Sequence, residues 1–107
     1  MEEQLIKTAR EKGFQGLFEK EWIYNSNEPL RYYFWLCELQ KWLREKYSIE
    51  CIVNYTSYAL QEFPYDLEIY KDNDSLINED CELYDMAFGT YELALEIGLQ
   101  YSLALIK

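Results

Sequence analysis

The chain predicts an α+β fold. One domain carries N-terminal helices, a three-stranded antiparallel sheet and a buried C-terminal helix, in the order α-α-β-β-β-α. Three observations predict it. Tyr32, Trp35, Leu36, Leu39, Trp42, Leu43 and Tyr47 recur at three- and four-residue steps, a helical stripe over residues 29–47. Apolar and polar residues then alternate over 49–58 and again over 64–71, the period of a strand with one face in a core. The closing stretch from Tyr91 to Ile106 is apolar around most of a helix's circumference, so the rest of the chain must cover it.

In chain order, residues 3–12 form a short amphipathic helix with Leu5, Ile6 and Ala9 on one side, stopped by Gly13. The segment from Phe14 to Asn25 reads either as a helical turn or as an extended piece. Ser26-Asn27-Glu28-Pro29 starts the long helix: a capping side chain, an acid, and Pro where its missing N–H does no harm. Phe34 and Cys37 fall off the main stripe and imply a second contact, with the first helix as the candidate. In the first strand Ile49, Cys51, Val53 and Tyr55 point inward. In the second, Tyr65, Leu67 and Ile69 do, making a hairpin. Residues 71–82 read as a polar loop and 83–88 as the third strand. Gly89 turns the chain, and Thr90 caps the last helix, along which Ala94, Gly98 and Ser102 form a ladder of small side chains allowing close approach.

With 107 residues and half of them apolar, the chain buries a core without staples. The three cysteines, 37, 51 and 81, form neither a disulfide framework nor a Cys-x-x-Cys pair, which fits a reducing cytoplasm. Cys37 and Cys51 read as small buried hydrophobes, and Cys81 as an exposed thiol whose acidic neighbours disfavour the thiolate. No basic-then-apolar leader opens the chain, and the last apolar run is too short to span a bilayer. Histidine is absent, which removes the commonest general base and zinc ligand, and with them any Ser-His or Cys-His pair.

The net charge of −10 is unevenly placed. Residues 1–61 carry nine acids against eight bases; residues 62–107 carry eleven against two. Such a balance repels phosphate and anionic lipid, so direct nucleic-acid or membrane binding is disfavoured and a basic protein partner is favoured. Asp72, Asp74, Glu79, Asp80, Glu82 and Asp85 are the candidate partner-binding residues. The Asp72-x-Asp74 opening departs from a calcium loop at Leu76, Ile77 and Leu83, so no metal or cofactor is expected. Asp66, Glu68 and Asp85, outward on neighbouring strands, are the carboxylates a hydrolase would use, but nothing in the sequence builds a cleft around them.

The tail Phe88-Gly-Thr-Tyr-Glu-x-Ala-Leu-Glu-x-Gly-Leu-x-x-Ser-Leu-x-Leu-Ile resembles the closing signature of small uncharacterised bacterial proteins of phage or prophage type. The stretch Glu38 to Ile49 and the start Ala9-x-x-Lys-Gly-Phe are similar to the same group. Leu93 stands where that group has a second Glu. The resemblance implies the α-α-β-β-β-α layout and no established activity. A looser likeness, in the strand–turn–helix order and Thr90/Ala94, is to antitoxins whose sheets feed a Thr-x-x-Glu-Ala helix; the loop those carry between strands is missing here.

The chain therefore reads as a small cytoplasmic, non-catalytic interaction or accessory protein of mobile-element origin. Surplus aromatics such as Trp22, Tyr24, Phe34, Tyr58 and Tyr70 are expected to form a patch that allows a homodimer. The alternative is an acidic inhibitor of a basic nucleic-acid-binding protein, acting as an antitoxin or DNA mimic does; a carboxylate hydrolase is the remote third.

Overall fold

The computed structural model describes residues 2–14, 29–55, 63–77, 81, 83 and 86–106. Within them α1 is Glu2–Glu11, α2 is Pro29–Tyr47, β1 is Ile49–Tyr55, β2 is Tyr65–Lys71, β3 is Asp74–Ser75 and α3 is Tyr91–Ala104. The α+β class and the order α-α-β-β-β-α hold, and the antiparallel sheet runs β1-β2-β3.

Local chemistry sets the element ends. Gly13, at φ 100°, closes α1: its N–H bonds the Arg10 carbonyl and the Phe14 N–H reaches back to Ala9 at 3.0 Å, a Schellman end. Ser48 turns α2 into β1 with a left-handed φ of 55°. Thr90 caps α3 from extended backbone, its hydroxyl accepting from the Leu93 N–H at 3.1 Å. At the other end of α3, the Lys12 ammonium bonds the Ile106 carbonyl at 2.8 Å, a cation where the helix dipole is negative.

The stripe read on α2 is core, while α3, expected to be covered around most of its circumference, is buried on one side and leaves Leu93 41% exposed on another. Trp35, Leu36, Leu39 and Leu43 of α2 and Ala94, Leu95, Leu99 and Leu103 of α3 are buried with Ile49, Cys51, Leu67 and Ile69 of the sheet. Fully burying each leucine stabilises by about 1.5–3 kcal/mol. The helices thus cover one face of the sheet. Residues 50, 52, 54, 66, 68 and 70 make the other.

The third strand lies elsewhere than the expected 83–88. The paired strand is Asp74–Ser75, reached through Asp72 and Asn73, both at positive φ (52° and 73°). Two left-handed residues reverse the chain at once, as in a type I′ hairpin, and Asp and Asn are the non-glycine residues that tolerate this. From 83–88, among the described residues, Phe88 alone joins the sheet. It exchanges main-chain hydrogen bonds with Tyr65 at 3.2 and 2.8 Å. One edge of β2 is therefore filled from two places, by 74–76 at one end and Phe88 at the other. Residues 84 and 85 lie outside the described residues, as do 56–58 of the first predicted strand.

Three side chains also differ from expectation. Tyr55, the last residue of β1, is 72% exposed. Cys81 is half-buried against the core, its Sγ 3.6 Å from the Tyr101 hydroxyl. Cys37 is half-buried, and its thiol shares a side-chain hydrogen bond with Tyr33 one turn earlier in α2.

Candidate interaction surface

The register decides which side of the molecule is open. Asp72 donates its N–H to the Ser48 carbonyl at 3.1 Å, so residues 48, 50, 52 and 54 turn their main-chain groups toward β2. Residues 49, 51, 53 and 55 turn theirs to the outer side of β1. There the Gln40 side-chain amide donates to the Cys51 carbonyl at 2.6 Å.

At the far end of β1 begins a chain of rings. Tyr55 lies edge-on to Tyr65 at 5.7 Å, Tyr65 edge-on to Tyr91 at 6.1 Å, Tyr91 tilted against Tyr33 at 6.0 Å, and Tyr33 edge-on to Phe34 at 6.4 Å. Four elements meet in it: the end of β1, the start of β2, the first turn of α3 and the first turns of α2. Its two outer members are open, Tyr55 at 72% and Phe34 at 51%. The remaining exposed large apolar side chains, Phe63, Met86 and Leu93, each sit two residues from a member of the chain or from Phe88, which pairs with Tyr65. Every large apolar side chain described as exposed thus lies at this one end.

Two hydroxyls of this ring chain, Tyr33 and Tyr91, are raised. Burial, then Cys37, pushes Tyr33 up to about 12, and burial followed by Cys37 raises Tyr91 as well. Beside them Tyr32 donates to Glu96 at 2.6 Å, and Glu92 is exposed.

The opposite end carries bases. Lys41, Arg44 and Lys46 occupy the last turns of α2 and Lys71 ends β2. Lys12 holds the end of α3. Arg44 reaches Glu50 at 3.3 Å, beside a shallow cavity of about 340 Å³ lined by Ser48, Tyr70, Asp72 and Asn73. The Arg31 side chain is not among those described. Among the described residues, the exposed large apolar side chains therefore lie at one end, while these bases lie at the other together with Glu45, Glu50, Asp72 and Asp74.

Of the six acidic candidates, Asp72 and Asp74 are exposed in and beside the hairpin turn, at the basic end. Glu79, Asp80, Glu82 and Asp85 lie outside the described residues. Asp66 and Glu68 point to the sheet's outer face; Glu68 accepts from the Tyr70 hydroxyl at 3.2 Å, which raises that tyrosine. Of the expected aromatic patch, Phe34 is open, Tyr70 is half-buried away from the ring chain, and Trp22, Tyr24 and Tyr58 are outside the described residues. The sequence carries no signal that groups Tyr33, Tyr65 and Tyr91. They come from three elements, and no local periodicity links them.

Comparison with protein-family models, with curated proteins and with solved structures finds no match to this chain. Among the described residues, no helix is long and apolar enough to cross a membrane.

Proposed function

We propose that this chain is a small, non-catalytic accessory protein that acts by binding another protein through its aromatic end. The observation that carries this is the gathering of Phe34, Tyr55, Phe63, Met86 and Leu93 around one ring chain. Single exposed apolar residues are ordinary on any surface, whereas several at one end of the described structure favour a binding site. Tyrosine and phenylalanine bring large contact area at little entropic cost, which makes them common anchors. An excess of acid over base in the second half of the chain favours a basic partner. Three free cysteines fit a reducing cytoplasm, and the resemblance of the closing helix to phage-type proteins supports a mobile-element origin.

The test compares two variants in the host cell. Replacing Phe34, Tyr55 and Leu93 together with Ser should abolish recovery of the partner that the parent chain brings down stoichiometrically. Replacing Asp72 and Asp74 with Asn should leave it. The reverse pattern would move the site to the hairpin turn and favour the acidic-inhibitor alternative.

A further inference from the structure

Given that the aromatic end docks a protein, we infer that the docking segment is held as an extended strand added antiparallel to β1 at Val53–Tyr55. Its side chains alternate, apolar on the helix-side face and cationic on the other. This rests on the function proposed above and adds the main-chain half of recognition.

The register supplies the edge. Val53 and Tyr55 turn N–H and C=O away from β2, and among the described residues these groups have no partner. Two residues earlier the Cys51 carbonyl is occupied by Gln40 at 2.6 Å, so strand addition starts beyond it, at the ring-bearing end. Edge strands left with open main-chain groups are templates for such addition. Antiparallel pairing is the more stable kind, and it puts directly opposed side chains on the same face.

Side-chain chemistry follows from the two faces. Residues opposite Val53 and Tyr55 land on the helix side, beside Val53 and the Tyr55 ring, where apolar side chains fit. Residues between them land on the outer face beside Asn54, one strand from Asp66 and diagonal to Glu68, where Lys or Arg fits. A second copy of the chain fits worse. It would bring its own Glu50, Asp66 and Glu68 face and a charge of −10 against an identical one.

The probe is a blocked octapeptide alternating Val and Arg, titrated into isotope-labelled protein and followed by NMR. The expected result is saturable movement of the Val53 and Tyr55 amides. In an antiparallel pair the Val amides point at β1, so N-methylating the Val residues should weaken binding at least about tenfold. N-methylating the Arg residues should not, and a Val-Glu peptide should not bind. Equal binding by the N-methyl-Val peptide overturns the inference. So does binding by the Val-Glu peptide, or a self-dimer in sedimentation with Val53 and Tyr55 protected from exchange without peptide. Replacing Phe34 and Leu93 with Ser separates the two claims. If that variant loses a peptide whose binding ignores N-methylation, strand addition is wrong and the aromatic site stands. If it binds as tightly as the parent and stays sensitive to N-methylation, strand addition stands and the aromatic site falls.

Discussion

Gly98 and Cys51 meet across the contact between α3 and β1 with no room between them: a Cβ on Gly98 would stand 2.6 Å from the Cys51 Sγ and 3.0 Å from Leu67 Cδ2. Both neighbours are buried, so neither can swing aside freely. Alanine normally gains about 1 kcal/mol over glycine inside a helix. Here overpacking should exceed that gain, and Gly98→Ala should cost about 1–3 kcal/mol in urea unfolding. Adding Cys51→Ala should recover part of the loss, a coupling that separate, non-contacting sites would not show.

The same burial controls the thiol. Burial first, then the Glu50 charge, pushes Cys51 up to about 12, although a hydrogen bond with Ser102 pulls it partly back. A raised folded value means the native state keeps a proton that the unfolded chain releases. Its contribution is fully present below the unfolded value, near 9, and is lost as pH rises toward 12. Tyr33 adds the same sign of effect from about pH 10. Urea midpoints should therefore fall with rising pH above 9, and Cys51→Ala should flatten the first part of that fall. At pH 9 iodoacetamide should label native Cys51 more slowly than it labels the unfolded chain.

Ser48 holds a left-handed conformation at φ 55° between α2 and β1. That region costs an L-residue roughly 1 kcal/mol that glycine does not incur. The Ser48 side chain is exposed, and it is the backbone carbonyl that the Asp72 N–H uses. Ser48→Gly should raise the thermal midpoint, corresponding to about 0.5–1 kcal/mol. A fall would show that the serine hydroxyl makes a needed interaction.

Trp35 is fully buried, stacked near Tyr32 and edge-on to Phe14, yet its Nε1–H meets no acceptor among the described residues. A buried unpaired donor costs about 1–3 kcal/mol, similar to the packing given up when an aromatic core residue is made smaller. Trp35→Phe should therefore change stability by less than about 1.5 kcal/mol, while Trp35→Ala should cost about 3–5 kcal/mol. Chemical denaturation of both variants checks the contrast.

What is legible in the sequence follows from what is local. The α2 stripe, the Thr90 cap and the Ala94–Gly98–Ser102 ladder are written in spacings of three and four, and each stands where its period places it. The third strand is missed at 74–75 because the Asp72-Asn73 reversal depends on two positive φ values, a signal weaker than Asn-Gly and hidden inside a run read as polar loop. Of the interaction surface, only Phe34 stands out in the sequence as surplus to the core. Tyr55 alternates with Cys51 and Val53 and so reads as inward, yet it is the last residue of β1 and is exposed. Tyr33, Tyr65 and Tyr91 converge through tertiary packing, to which no single period is sensitive.

Placing a photoactivatable cross-linking amino acid at Leu93, and separately at Lys46 on the basic end, tests most directly where the partner lands. Irradiation in the host cell should give one discrete heavier adduct from position 93 and none from position 46. An adduct from position 46 alone, or one whose mass is twice that of this chain, would contradict the account.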